Sequence, residues 1–458
     1  MKGFIQPNVL PTHSYLNFRI RKTYVKNNDD DTSSIIEDEA RTATSTTPKH
    51  HQSSKKKRKN NPTIKWIACT STKEANRAIT MYIKEGDVVA ELGSQLRETS
   101  TTICDTIGSN GKAYLVDIER KYPNVKMKRE ERTTAMRREG DDSNFYQDRA
   151  VFSEIESFDS WRHALFLSNN LNRKEENRIN TFGKYNALVV DMSTIAGNDL
   201  ELTCVSLVKE FIALNKKMNE EVEDEESYQT NPCRVVIVKS GSLHQLARRL
   251  FHAQRLFANT VSLEDNPHKT SIIGTVGVEE YRRTIPYAVR KGDAVIEVGS
   301  HFGTSTAILH DAAAASSDAR NQERDDCNFA TGISDLSLGG CLGVDVGPHI
   351  IDSAKMKFPH VPFVVGDAWK ISDLIQFKKE YFEGHSDDHR YDVVYVDVGG
   401  LSGNEGLLEA LSLLGSITNC LEPRCIVIKS LCIRRLASSL VPFSQLWKQE
   451  KAKEKIVD

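Results

Sequence analysis

The stretch GDAVIEVGSHFGTST, residues 292–306, decides the fold of this chain. A short run rich in β-branched residues ends at Gly299, and a second glycine, Gly303, precedes a segment with helical spacing. This is the pattern of a buried strand that turns tightly into a helix. Glycines let the backbone approach a ligand, and the N-terminus of the helix offers free N–H groups. The stretch therefore predicts a ligand-binding βα unit.

This unit occurs twice in the chain. Three segments of a first copy recur in a second copy: 86–100 at 292–306, 185–199 at 391–405, and 234–250 at 424–440. The first two matches share a displacement of 206 residues, and the third has 190, because an acidic stretch occurs only in the first copy. A match of this length predicts two domains of common origin.

Length and composition agree with two domains. The chain has 458 residues, of which 39% are hydrophobic, and this exceeds what a single core usually organises. Residues 27–62 are polar and divided into an acidic and a basic block, a composition that cannot bury enough apolar surface to fold. We predict a disordered tail at 1–62, a first domain at 63–265 and a second domain at 266–458.

The second copy alternates short apolar runs with helical segments. The apolar runs are 294–299, 341–346, 362–367, 391–398 and 424–430. Runs that are short, β-branched and bounded by turn residues are typical of buried parallel strands. Their alternation with helices predicts an α/β fold with two tandem Rossmann-like, doubly wound domains. In such sheets ligands bind at the carboxyl ends of the strands, near the point where the strand order reverses.

Several candidate site residues collect at these predicted strand ends. They are Glu297, Gly299, Gly303, Asp345, Asp367 and Asp397. Each has a structural alternative, because glycine permits a tight turn and aspartate is a favoured helix N-cap. Packing alone does not require acids at the ends of four successive strands. Together these residues predict a ligand site.

In this order the motifs resemble the class I S-adenosylmethionine-dependent methyltransferases. The resemblance covers about 170 residues of the second copy and implies S-adenosylmethionine as the cofactor. It implies Glu297, Gly299 and Gly303 at the methionine end of the cofactor, Asp345 at the ribose and Asp367 at the adenine. A dinucleotide dehydrogenase fits less well, because the turn lacks the middle glycine that a pyrophosphate needs.

Lys429 ends the fifth strand and recurs as Lys239 in the first copy. The pair of Asp397 and Lys429 is similar to the middle pair of the Lys-Asp-Lys-Glu tetrad in ribose 2′-O-methyltransferases of RNA. This implies that both residues are catalytic and that the acceptor is RNA. The first lysine and the glutamate of the tetrad lack a counterpart. The cations nearest to the position of the first lysine are Arg282 and Arg283, and no clear strand with a glutamate follows Lys429. Alternatively, Lys429 reaches solvent and simply pairs with Asp397.

The first copy departs from this pattern. It keeps Glu91 and a strand-end Asp117, but Arg97 stands where the second copy has Gly303. Glu154 is the nearest acid to the adenine-binding position. Arg97 would place a long side chain where the methionine end of the cofactor passes. We therefore expect a degenerate domain that has lost cofactor binding and serves packing or substrate docking.

Composition leaves the acceptor open. The net charge of −2 gives no overall basic bias, so RNA would have to bind through local basic patches. A methyltransferase of small molecules or proteins, or a non-catalytic cofactor-binding scaffold, are the alternatives. The nine cysteines show no metal-ligand spacing, and no apolar run is long enough to span a membrane. We expect neither a metal nor a membrane partner.

The basic run KKKRK at 55–59 resembles a nuclear localisation signal, although a solvated charge run is an equally good interpretation. Residues 1–26 contain several Lys and Arg and no acids, which leaves an organelle transit peptide open. We expect a nuclear or cytoplasmic protein.

Overall fold

A computed structural model describes the chain over the ranges 64–93, 98–118, 150–155, 160–167, 184–192, 200–220, 233–261, 263, 270–314, 336, 338–382, 390–401 and 406–457. The predicted tail at 1–62, its basic run and Arg97 lie outside these ranges. Within them the protein is α/β, with two seven-stranded parallel sheets.

The described ranges contain fourteen strands and thirteen α-helices. The strands are β1 Lys65–Cys69, β2 Val88–Leu92, β3 Lys112–Ile118, β4 Ala150–Ile155, β5 Ala187–Asp191, β6 Val235–Lys239, β7 Leu250–His252, β8 Ser271–Thr275, β9 Ala294–Val298, β10 Gly340–Asp345, β11 Phe363–Val365, β12 Val393–Val396, β13 Cys425–Lys429 and β14 Leu440–Pro442. The helices are α1 Thr72–Tyr82, α2 Glu98–Ile107, α3 Leu200–Glu220, α4 Gly241–Arg249, α5 Ala253–Phe257, α6 Gly277–Arg283, α7 Ile285–Ala288, α8 Thr304–Ala313, α9 Pro348–Lys357, α10 Ile371–Tyr381, α11 Leu407–Leu421, α12 Leu431–Ser439 and α13 Phe443–Val457. A π-helical turn at His163–Leu167 completes the set.

The two sheets share one strand order. The first runs β4-β3-β2-β5-β6-β1 and the second β11-β10-β9-β12-β13-β8, and all neighbouring strands are parallel. In the second sheet the order reverses between β9 and β12, since β10 lies on one side of β9 and β12 on the other. This topology is compatible with Rossmann-like domains. The α/β class and the parallel sheets predicted from the sequence are thus confirmed.

Each half of the chain gives its last strand to the sheet of the other half. β7 pairs with β8 at the edge of the second sheet, and β14 pairs with β1 at the edge of the first. The helices that follow repeat one contact. The Arg283 guanidinium lies 4.4 Å from the centre of the Phe257 ring, and that of Arg77 lies 4.4 Å from the centre of the Trp447 ring. The predicted division at 265/266 therefore separates β7 from its sheet partner, and it stays a prediction.

Apolar residues cover both faces of each sheet, as buried parallel strands require. One large core contains Trp66 of the first sheet together with Ile296 of the second. The opposite faces have cores of their own, around Ile67 in the first sheet and Ile273 in the second. Because the large core includes residues of both sheets, the two halves of the duplication share buried apolar surface.

A partly buried ion pair fixes the amino ends of the strands in each half. Arg424 donates to Asp293 at 2.9 Å just before β13 and β9 begin, and Arg234 pairs with Asp87 at the matching place in the first sheet. Asp293 also accepts the N–H of Arg290 at 2.6 Å. These contacts occupy the polar side chains at the amino ends of the strands. A ligand site is therefore expected at the carboxyl ends.

Candidate functional site

A cavity of about 990 Å³ lies over the carboxyl ends of five neighbouring strands in the second sheet. Its walls include Glu297 near the end of β9, Asp345 and Lys429 as the last residues of β10 and β13, and Asp367 and Asp397 just after β11 and β12. These strands flank the reversal between β9 and β12, where α/β sheets bind ligands. The structure thus brings together predicted residues that the sequence separates by more than a hundred positions.

The turn after β9 depends on glycine at its first position. Gly299 has φ +83°, and a Cβ added there would lie 2.3 Å from the carbonyl oxygen of Asp397. Its N–H donates to the carbonyl of Val344 at 2.8 Å. The absence of a side chain therefore lets the turn contact the end of β12 while it remains bonded to β10.

Gly303, the second glycine of the turn, lies outside the cavity wall. It has φ +77° and precedes helix α8, and an added Cβ would lie 2.5 Å from Cζ of Phe363. Gly303 does not line the cavity, unlike the other predicted site residues. Its observed role is to let the start of α8 approach β11.

Glu297 is buried at the base of the cavity and held from two helices. It accepts a hydrogen bond from the Tyr281 hydroxyl of α6 at 3.1 Å and one from Thr306 Oγ1 of α8 at 2.5 Å. Burial raises the pKa of Glu297 to about 7, and the charge of Asp397 adds to this, whereas the two hydrogen bonds lower it. Glu297 therefore anchors α6 and α8 to the end of β9.

Asp345 and Asp367 are half-buried and bonded to backbone N–H groups. The two oxygens of Asp345 accept from His301 at 2.9 Å and Gly347 at 3.1 Å, and Asp367 accepts from Trp369 at 3.0 Å. A carboxylate oxygen can accept more than one hydrogen bond, so both groups keep capacity for a ligand. The hydrogen bonds from the backbone fix the orientation of both carboxylates in the cavity wall.

Exposed apolar side chains stand beside these carboxylates. Val346, Trp369 and Phe302 line the cavity and are 67%, 47% and 48% exposed. Large apolar groups rarely stay exposed together without a partner, and they are typical of ligand-binding walls. The cavity thus combines hydrogen-bond acceptors with apolar surfaces suited to a flat ring.

Asp397 and Lys429 contact each other directly at the cavity wall. Their side chains are about one-fifth exposed, with values of 22% and 21%. The first copy repeats the contact, since Lys239 Nζ lies 3.0 Å from Asp191 Oδ2. The ion pair proposed as the structural alternative exists, and its position on the cavity wall leaves it accessible to a ligand.

Other residues that the sequence did not identify as site residues also line the cavity, among them Arg282, Lys357 and Ser300. Arg282 of α6 donates from Nε to Ser305 Oγ at 3.0 Å, and Lys357 of α9 donates to Thr304 Oγ1 at 3.3 Å. Ser300 follows the glycine turn and is 5% exposed. Sequence analysis named Arg282 only as the cation nearest to the missing tetrad lysine. The sequence offered one signal for Arg282: it follows Tyr281 directly and lies four residues after Val278, so on a helix it shares a face with Val278.

The first copy keeps the buried glutamate without its full set of partners. Glu91 accepts from Ser100 Oγ at 2.6 Å, but Ala75 occupies the position that matches Tyr281. Burial raises the pKa of Glu91 to about 7, whereas hydrogen bonds from Ser100 and Thr99 lower it. Arg97 and the side chain of Glu154 lie outside the described residues, so the predicted loss of cofactor binding stays a prediction.

Among the residues that the structure describes, no group of three or more His, Cys, Asp or Glu side chains could hold a metal ion. None of the described helices combines the length and apolarity needed to cross a membrane. Comparison of the chain with models of protein families, with curated proteins and with solved structures finds no match.

Proposed function

We propose that the second half of this chain binds S-adenosylmethionine and transfers its methyl group to an RNA hydroxyl. One observation carries the proposal: Asp345, Asp367, Asp397 and the Gly299 turn line one cavity at the reversal point of a parallel sheet. Each group comes from a different strand end, as the resemblance implies. The alternatives of a protein or small-molecule acceptor, and of a scaffold, are outcomes of the tests below.

The residues present fit this cofactor. Asp345 retains capacity to accept the two hydroxyls of a ribose, and Asp367 to accept an exocyclic amine. Val346 and Trp369 offer exposed apolar surface beside them for an adenine ring. S-Adenosylmethionine, when bound, supplies an electrophilic methyl group on a positively charged sulfur.

Asp397 and Lys429 suit the acceptor side of the reaction. A hydroxyl that becomes methylated must release its proton, and Asp397 is a carboxylate on the cavity wall that can accept it. The Lys429 ammonium contacts that carboxylate and so offsets negative charge that develops on an attacking oxygen. Together the two side chains can position an acceptor hydroxyl and receive its proton.

Calorimetric titration of the full chain with S-adenosylmethionine tests the cofactor. We expect Asp345→Asn to weaken binding by about 10- to 100-fold, as loss of hydrogen bonds to a charged acceptor implies. Asp117→Asn is the matched control, because Asp117 is the penultimate residue of β3, the corresponding strand of the first sheet. Equal affinities of both variants and the native chain would place the cofactor elsewhere, and no binding at all would refute the proposal.

Transfer of a labelled methyl group to total RNA tests the acceptor. We expect Lys429→Met to reduce transfer by about 10²- to 10⁴-fold, the usual contribution of a group that assists proton transfer, with cofactor affinity unchanged. Lys239→Met removes the equivalent pair of the first copy and should leave transfer intact. Label in protein or metabolites, with none in RNA, would assign one of the alternative acceptors.

A further inference from the structure

The exchange of strands brings basic residues of the first half to the second sheet. β7 pairs with β8 so that His252 lies beside Gly274, and helix α5, which follows β7, carries Arg255. Arg434, near the start of α12, packs its backbone against the same glycine, since a Cβ added to Gly274 would lie 3.0 Å from Cα of Arg434. We call His252, Arg255 and Arg434 the basic cluster. All three residues are half-buried, so solvent reaches them.

The members of the basic cluster are close enough to act on one another. Burial lowers the pKa of His252, and the charges of Arg434 and Arg255 lower it further. Arg434 Nη2 lies 3.9 Å from Oε1 of Glu280. Burial also lowers the pKa of Arg255, and among the residues that the structure describes no carboxylate offsets this effect. Two like charges held near one ring repel each other, so the cluster favours an anionic partner.

The duplication provides an internal reference for the basic cluster. In the first sheet β14 takes the place of β7, and the displacement of 190 residues identifies the positions equivalent to the cluster. These positions carry Pro442, Gln445 and His244. The acid is kept in both halves: Glu280 accepts the N–H of Val276 at 2.5 Å, and its equivalent, Glu74, accepts that of Thr70 at 2.7 Å. The acid therefore belongs to the shared fold, whereas the two arginines are specific to the second sheet.

The basic cluster lies at the same edge of the sheet as the cavity. Helices α5 and α12 follow the carboxyl ends of β7 and β13. His252 lies beside Gly274, and Gly274 lies beside Ile428, the residue before Lys429. Neighbouring strands are about 4.8 Å apart, so two strand spacings separate the cluster from Lys429 by roughly 10 Å. A polymer that reaches Lys429 at one position can therefore contact the cluster at a neighbouring one.

We infer that the basic cluster binds the phosphate backbone of the RNA acceptor beside the nucleotide that is methylated, an inference that rests on the proposed function. Phosphates supply most of the affinity in nucleic-acid binding, and the planar guanidinium of arginine can donate two hydrogen bonds to one phosphate. Contacts of this kind position the strand without reading its sequence. The first half of the chain thereby contributes to acceptor binding through the strand that it gives to the second sheet.

Fluorescence polarisation of a labelled single-stranded oligoribonucleotide with the full chain tests the basic cluster. We expect Arg255→Gln and Arg434→Gln each to weaken binding about tenfold, as loss of one charge-assisted bond implies. Each should also reduce the slope of log affinity against log salt concentration by about 0.7, the value for one phosphate contact. Arg255→Lys keeps the charge and should keep the slope.

Arg390→Gln is the matched control for these variants. Arg390 is exposed and precedes the amino end of β12, at the opposite edge of the same sheet, so its replacement should leave the salt slope unchanged. Thermal unfolding of each variant confirms that it is folded. Absence of RNA binding, or equal affinities and slopes for the native chain and both cluster variants, would overturn the inference.

Methyl transfer at increasing RNA concentrations separates this inference from the proposed function. We expect Arg255→Gln and Arg434→Gln to raise the KM for RNA without changing kcat or the affinity for S-adenosylmethionine, because the cluster does not line the cavity. If transfer to RNA occurs with the KM unaffected, the inference is wrong and the proposed function remains. If RNA binds as expected and S-adenosylmethionine does not bind, the proposed function fails and the assignment to a methyl acceptor fails with it, but the RNA-binding surface remains.

Discussion

Replacing Gly299 by alanine tests whether the turn after β9 must contact strand β12. Gly299 has φ +83°, and an added Cβ would lie 2.3 Å from the carbonyl oxygen of Asp397. Gly292 is the matched control, because it has φ +86° with no atom within 4 Å of an added Cβ. The left-handed conformation costs an L-residue about 1–2 kcal/mol at either position. Only Gly299→Ala must also displace backbone, by roughly 1 Å, to restore normal contact distances.

The two variants should therefore differ in function more than in stability. We expect both to lose about 1–2 kcal/mol of unfolding free energy in urea titrations, with a further loss for Gly299→Ala. A displacement of about 1 Å at a site can reduce a rate on the order of 100-fold, and we expect this loss of methyl transfer only for Gly299→Ala. Equal stability and equal transfer in the two variants would refute the argument that the turn requires this contact.

Three other predictions concern the buried glutamates and the exchanged strands. Burial raises the pKa of Glu91 and of Glu297 from 4.5 to about 7. Between pH 4.5 and pH 7 the folded state therefore binds more protons than the unfolded state. The unfolding free energy should fall as the pH rises through this range. Replacing both by Gln should flatten this dependence in urea titrations, and an unchanged slope would contradict it. Tyr281→Phe removes one partner of Glu297 and should lower the unfolding free energy by about 1–3 kcal/mol at neutral pH, whereas unaltered stability would show the bond to be dispensable. Truncation after Ser439 removes β14 together with helix α13, and it should accelerate amide exchange in β1 while β8 stays protected. Equal exchange in both strands would argue against the observed pairing.

The strands of the second half could be predicted closely from the sequence. The predicted runs 294–299 and 424–430 correspond to Ala294–Val298 and Cys425–Lys429. Such runs are β-branched, buried on both faces and bounded by turn residues, so local pattern is sufficient to place them. The repeat then predicts the same strands in the first half, because one pattern applies to both copies.

The exchange of β7 and β14 could not be predicted in the same way. Each strand has only three residues, LFH and LVP, which is too short for a recognisable period. Pairing of Leu440 with Trp66 also joins distant parts of the chain, and no local signal marks it. A boundary drawn from sequence similarity alone therefore overlooks these two elements.

The candidate site was predictable where its residues end strands. Asp345, Asp367, Asp397 and Lys429 meet because the carboxyl ends of parallel strands share one edge of the sheet. Arg282 and Ser300 reach the cavity through the packing of α6 and the path of the turn, which sequence periodicity does not specify. Gly303 is a different case: it does not line the cavity, and a Cβ added there would meet Phe363, so its predicted ligand contact stays a prediction.

The pairing of β14 with β1 also determines when the molecule can finish folding. During synthesis the first sheet emerges with one edge open, and the strand that covers it follows the strands β8 to β13 of the second sheet in the chain. Domains usually fold in the order in which they are translated, but here the first sheet gains its edge strand only after those strands of the second sheet have been made. Until then β1 presents an unpaired edge, which other chains can pair with, and such an edge is a known hazard for misassembly.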